Sequence, residues 1–418
     1  MGQARENHKR VLRIDADYLV ICYMIFVYPI IPMGKSWIMI LWMLLPLITI
    51  FFLNLRSNRH LYFNKKILPL FIIPICALFS GGLTAIAYAI KISVVIFTIS
   101  LLQNDILRNY QFFIRIVRVN GLIILATMYF EYLFRNIAIP IYAVVWRLYL
   151  QGDELTLLQC VENAYNGFCY GIIPSASYAA NTLTFAFGTY LTKKEKSRID
   201  WVLLVLIYIG IILTSKRSYM VFVTLVVVIL SFVGQNRKEL KKRGFIVFCF
   251  ISICIGLWVI IEPYIEYVPT GIGRLLTTIK YINDPVYLEK YYILSERDVL
   301  SSYAIELFRE NWVFGIGWGN FSKIYLENFG VWRLDAHSTY LQILCESGLF
   351  FAIIIFSILF RELAYSLRLV SKNRCVYYYM GYIILFCVLI GLTAFIFSLV
   401  QIYTILFFCV YFARNITT

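Results

Sequence analysis

Three side chains in this largely apolar chain have types and settings suited to chemistry. His337 lies in Asp335-Ala336-His337-Ser338-Thr339-Tyr340-Leu341, which runs straight into an apolar stretch. A neutral imidazole there could take a proton from an attacking hydroxyl; the alternative is a hydrogen-bonded interfacial histidine. Arg297 follows Ser295-Glu296, and Ser295 with Asp298 reads as a capped helix start. A cation in a first turn runs against the helix dipole, yet free N–H groups beside a guanidinium suit phosphate oxygens. A salt bridge to Glu296 or Glu289 is the competing reading. Arg217 stands with Lys216 in the hairpin turn Thr214-Ser215-Lys216-Arg217-Ser218-Tyr219, as an anion clamp or as snorkelling cations. Arg274, Arg333, Tyr303, Tyr340 and Asn181 complete the residues expected to line a substrate site, although Asn in an apolar helix is more often interhelical glue.

The elements that must position these groups are written in the hydropathy. Mean hydropathy is +0.77, with 61% hydrophobic and 15% charged residues, which excludes an ordinary soluble protein. The pattern predicts an all-α polytopic integral membrane protein with about twelve spans, near 18–33, 37–53, 67–80, 83–102, 119–137, 172–191, 200–214, 218–233, 245–263, 339–360, 377–394 and 398–413. Residues 1–263 then form a bundle with an external loop at 135–171, 264–338 a large external loop between spans nine and ten, and 339–418 the last three spans. Residues 1–13 are polar and basic without a small-residue cleavage site, so the first span is expected to be its own targeting signal. Lys and Arg concentrate in the short segments 56–66, 193–198 and 237–243, which puts those segments and both termini in the cytoplasm. The net charge of +15 is thereby topology, and nucleic acid is not an expected partner.

Within the spans, Lys91 and Glu131 each carry a charge that costs about 3 kcal/mol in hydrocarbon. Helix rise puts both at similar depth, so a Lys91–Glu131 pair is expected, with a cavity role as the alternative. Segment 135–171 reads as a partly helical cap, and the placement of Cys160 and Cys169 in it leaves a disulfide open. The remaining cysteines show no metal-ligand spacing.

In the large loop, Val299, Tyr303 and Leu307 with Leu300, Ala304 and Phe308 form one apolar helix face. Gly315-Ile316-Gly317-Trp318-Gly319-Asn320-Phe321 follows, and without a strand–turn–helix unit it is no nucleotide fingerprint. It is expected to be a tight turn that delivers the chain to His337. His337, Tyr340 and Leu341 are expected on one helical face, and Glu346 lies too deep and too far round to partner His337. Glu346 reads instead as a buried, protein-facing acid.

This glycine turn, His337-Ser338-Thr339-Tyr340-Leu341 through Glu346-Ser347-Gly348, Arg297 and Ser215-Lys216-Arg217-Ser218 together resemble the O-antigen polymerase and ligase family of bacterial surface-polysaccharide assembly. The resemblance covers residues 215–350; Ser338 stands where the family often has Asn, and Glu296 where many members have Gly. It implies an undecaprenyl-pyrophosphate-linked oligosaccharide as substrate, glycosyl transfer at the external face of the cytoplasmic membrane, and no nucleotide sugar, cofactor or required metal. Membrane lipids and a chain-length regulator protein are the other partners implied. Carried over, Arg217 and Arg297 would hold the donor pyrophosphate and His337 would activate the acceptor hydroxyl. Polymerisation of repeat units is favoured, since each glycan locus needs its own polymerase. Transfer of a finished chain to lipid A core is the alternative, and a flippase a more distant one, because no internal repeat is visible.

Overall fold

A computed structural model describes residues 16–28, 36–56, 63–79, 82–102, 105–150, 153–267, 270–281, 297–331 and 335–416. Among them all regular structure is helical. In chain order the helices are α1 (Ala16–Phe26), α2 (Ser36–Arg56), α3 (Ile72–Phe79), α4 (Leu83–Ser100), α5 (Ile106–Leu133), α6 (Arg135–Tyr149), α7 (Glu154–Tyr165), α8 (Ala176–Leu191) and α9 (Arg198–Leu213). They continue with α10 (Arg217–Phe232), α11 (Arg237–Ile261), α12 (Thr270–Tyr281), α13 (Arg297–Glu310), α14 (Phe321–Phe329), α15 (Thr339–Lys372), α16 (Arg374–Ile390) and α17 (Val400–Asn415). Three of these, α4, α5 and α15, are long and apolar enough to cross a membrane by themselves, and shorter apolar helices at 16–26, 40–53, 217–232 and 374–390 accompany them. The protein is a helical membrane protein.

Helix boundaries follow local chemistry. Asp105 accepts the N–H of Leu107 at 2.8 Å and starts α5 well before the span expected from hydropathy alone. Ser197 and Asp200 close a capping box on α9, and Lys193 Nζ sits 2.6 Å from the same carboxylate. Small residues set the helix spacing, as packing rather than hydrophobicity must hold helices together in lipid. A side chain on Gly121 of α5 would strike the Ala186 Cβ of α8 at 2.1 Å, and one on Gly188 would enter the Tyr382 ring of α16 at 2.5 Å. At the far end of α15, Glu362 receives two bonds from Arg414 of α17 and is flanked by Arg361.

Two expectations change here. Lys91 and Glu131 do not pair. Lys91 Nζ lies 5.6 Å over the Tyr88 ring of its own helix, while Glu131 Oε2 accepts the backbone N–H groups of Tyr170 and Gly171 at 2.9 and 2.6 Å. Equal depth did not place the two side chains on facing sides, and two converging N–H donors satisfy a buried carboxylate as well as a cation does. Cys160 and Cys169 are both free thiols and buried, in separate apolar clusters. Burial pushes the Cys160 thiol up to about 11. The expected cap at 135–171 is the pair α6 and α7, packed through Ile139, Trp146, Leu157 and Cys160.

Candidate active site

The loop before α15 folds around an apolar knot of its own. Leu300, Tyr303, Ala304 and Leu307 of α13 pack on Phe321 and Tyr325 of α14 and on Ala336 and Cys345 at the start of α15. Each large side chain buried here contributes about 1.5–3 kcal/mol against leaving it in water. Val299 was expected on this face but points outward, 48% exposed. The start of α13 at Ser295 lies outside the described residues.

The glycine turn has a different job from the one its sequence suggested. It docks on a break in α15, where Gly348 leaves helical geometry at φ 70°, ψ 176°. The N–H groups of Ile316 and Gly317 donate to the carbonyls of Cys345 and Glu346, both at 2.9 Å, and Leu349 N donates to Trp312 O at 2.8 Å. A Cβ on Gly315 would lie 2.4 Å from the Glu346 carbonyl, and one on Gly348 2.3 Å from Val313 O. Only two glycines allow backbones this close. The Glu346 carboxylate, 1% exposed, seals the lock by accepting Phe321 N at 3.1 Å, in keeping with its reading as a protein-facing acid.

With the loop fixed in this way, Asp335, Ala336, His337 and Ser338 are held at the top of α15. Ser338 caps the helix by accepting Leu341 N at 3.4 Å, a contact of about 1 kcal/mol. His337 therefore precedes the helix rather than sharing a face with Tyr340 and Leu341, as the spacing had suggested; its backbone is left-handed, φ 53°. Ser215 is the other non-glycine residue with positive φ among those described, at 56°. Such backbones cost about 1–3 kcal/mol each and concentrate at functional sites. Asp335 holds the histidine in place: its Oδ1 accepts His337 N at 2.8 Å and lies 3.4 Å from His337 Nδ1, while Ser398 Oγ reaches Oδ2 at 3.5 Å. The side chain of His337 is 45% exposed and that of Asp335 8%. Burial raises the Asp335 pKa above the ordinary carboxylate range, against the opposing pull of His337, its backbone N–H, Ser398 and Arg297.

The two arginines arrive on separate elements. Arg297, at the N-terminus of α13, is within electrostatic reach of Asp335 and also of Tyr219 on α10. Arg217 opens α10 two residues before Tyr219, with Lys216 as the capping position, and donates to Thr278 Oγ1 of α12. Arg297 thus links the Asp335–His337 pair with Tyr219 in the first turn of α10, while Arg217, which opens that helix, is held toward α12. A base held by a buried acid can deprotonate a hydroxyl, and a guanidinium within reach of that acid can balance the charge of a departing phosphate.

The other predicted residues fall less centrally. Asn181 is buried below the cluster, where its Oδ1 accepts the Tyr219 hydroxyl at 2.8 Å. Tyr303 is in the loop's apolar knot and takes a hydrogen bond from Asn328. Tyr340 donates to Val388 O at 2.7 Å and its ring stacks on Phe360 at 6.4 Å, within the bundle. Arg274 belongs to α12, the helix that carries Thr278, and its side chain lies outside the described residues, as does Arg333. Asp335, Tyr219, Thr278 and Ser398 were missed. A carboxylate two residues before a candidate base was a readable sign for Asp335; nothing local marks the others.

Residues 202–357 match the family model of the O-antigen ligase. That segment is similar to the O-antigen polymerase and ligase family. No curated protein matches the chain. The matched segment contains Arg217, Arg297, the glycine turn and His337, and family members are glycosyltransferase-like membrane enzymes. Asn181 and Ser398, which brace the cluster from either side, lie beyond it.

Proposed function

We propose that the protein polymerises undecaprenyl-pyrophosphate-linked oligosaccharide repeat units at the external face of the bacterial cytoplasmic membrane, within a twelve-span topology whose termini are cytoplasmic. The observation that carries this reading is the convergence of Arg297 with the Asp335–His337 pair and with the helix opened by Arg217. In the proposed reaction a sugar hydroxyl of one lipid-linked unit attacks the anomeric carbon of the glycan on another. The new C–O bond forms as the bond to pyrophosphate breaks, and undecaprenyl pyrophosphate leaves with the electron pair. His337 takes the hydroxyl proton, Asp335 orients the imidazole, and Arg217 and Arg297 neutralise the leaving group. The pyrophosphate leaving group itself drives the transfer, so no nucleotide is needed outside the cell.

A ligase would use the same donor clamp with a different acceptor, and the matched family's description, O-antigen ligase, is why this second reading is kept. Deleting the gene separates them. Loss of a polymerase leaves single repeat units on the final acceptor; loss of a ligase leaves long chains on undecaprenyl pyrophosphate and a bare acceptor. Single repeats are expected. An unchanged glycan profile would overturn both readings.

A further inference from the structure

A cleft in the loop before α15, with His337 not among its lining residues, lies between α13 and α14, edged by the turn at Gly315. It offers about 520 Å³, within the roughly 300–1,000 Å³ of small-ligand sites. Its polar lining is Glu306 and Glu310, one turn apart on α13, with Asn311, Asn328 and the Tyr303 hydroxyl; among the described residues the lining contains no Lys, Arg or His. The walls are pinned together, since Asn328 of α14 donates to Tyr303 of α13 and the Tyr303 ring meets Phe329 at 5.1 Å. The Gly315 backbone at its edge is fixed by the lock with Gly348. A pre-formed site loses less entropy on binding.

We propose that this cleft is a glycan subsite that holds uncharged or amino-bearing sugar units remote from the pyrophosphate; it rests on the glycosyl-transfer reading above. Carboxylates and amides bind sugar hydroxyls as acceptors and donors. Two carboxylates on one wall repel phosphate and acidic sugars, so the cleft does not duplicate the arginine clamp. Glu306 and Glu310 lie about 14 and 20 Å along α13 from Arg297 by helix rise. Reaching them takes an oligosaccharide rather than one sugar, so the subsite would select a complete repeat unit over a truncated one.

The test uses the full-length protein in lipid nanodiscs and, as probe, the free oligosaccharide released from the source cells' own lipid-linked glycan, with its pyrophosphate removed. Binding is expected for wild type and for His337→Ala, and about tenfold weaker for Glu306→Ala/Glu310→Ala, a change of about 1.4 kcal/mol. The charge-neutral Glu306→Gln/Glu310→Gln should fall between them. Equal binding by wild type and the double alanine variant, or none by wild type, would overturn the proposal. Oligosaccharide binding by a wild-type protein that shows no transfer from the lipid-linked donor would overturn the glycosyl-transfer reading instead, so the two failures are distinguishable.

Discussion

Asp335 and His337 are joined twice, through the backbone N–H at 2.8 Å and across to Nδ1 at 3.4 Å, with the acid inside and the base facing out. The arrangement sets function against stability. Because burial outweighs its partners, Asp335 keeps its proton to higher pH in the folded chain than in the unfolded one. Its contribution to stability is full below the ordinary carboxylate value of about 3.9 and is lost as pH rises through the raised value. An orienting carboxylate is wanted over the same upper range.

Asp335→Asn should therefore gain melting temperature at neutral pH, with the gain shrinking toward pH 4, while turnover falls. An Asn oxygen can still accept His337 N, so the backbone should hold. The loss of turnover should approach the ~10²–10⁴-fold that a general base contributes. In the wild type, acidification should lower turnover at a pH above the ordinary Asp range. Thermal scans and transfer assays across pH check both; a variant with normal turnover would remove Asp335 from the mechanism.

Arg297→Lys should stay severely impaired, because an ammonium cannot reproduce the paired contacts of a guanidinium with phosphate. Arg217→Ala and Arg297→Ala should lose polymer altogether while protein still accumulates in the membrane. Gel profiles of surface glycan beside membrane immunoblots make the comparison. Polymer at wild-type length from Arg297→Lys would exclude a bidentate role.

Gly315→Ala and Gly348→Ala should each prevent the turn from seating on α15. A left-handed backbone costs about 1–3 kcal/mol and the collision with the opposing carbonyl adds a similar amount. Gly330→Ala is the control, since its φ is also positive but a Cβ there meets nothing within 4 Å. Proteolysis of the loop should be fast in the first two variants and near normal in the third. Glu346→Gln, which retains an acceptor for Phe321 N, should be milder than Glu346→Ala.

The helical class was legible because hydropathy is strong, and His337, Arg217 and Arg297 stood out in the sequence because polar groups beside apolar runs are costly. The break at Gly348 was not, as one glycine inside an apolar helix changes the hydropathy very little. Helix rise gave Lys91 and Glu131 their depth but not their rotation, and no pattern warned that the N–H groups of Tyr170 and Gly171 would claim the carboxylate. His337 was assigned to a helical face because Tyr340 and Leu341 fit the spacing; Ser338, a good cap, was the sign that the helix starts one residue later.

Topology can be read with reporter fusions. Fusions after Lys66, Arg198, Arg243 and Arg374 should report cytoplasm, and one at Asp284 the outside. A cytoplasmic signal at Asp284 would put Arg297 and His337 on the wrong side of the membrane for a lipid-linked glycan.

The top of α15 is stitched to the segment between α16 and α17. Thr339 N donates to Gly391 O, its hydroxyl bonds Ala394 O and Ile396 N, and Ser398 reaches Asp335. All four partners leave the ribosome well after the arginines and the histidine. A nascent or shortened chain ending before residue 391 would carry every group proposed for the chemistry yet lack the contacts that hold Asp335 and Thr339, so activity is expected only once the last hairpin is in the membrane.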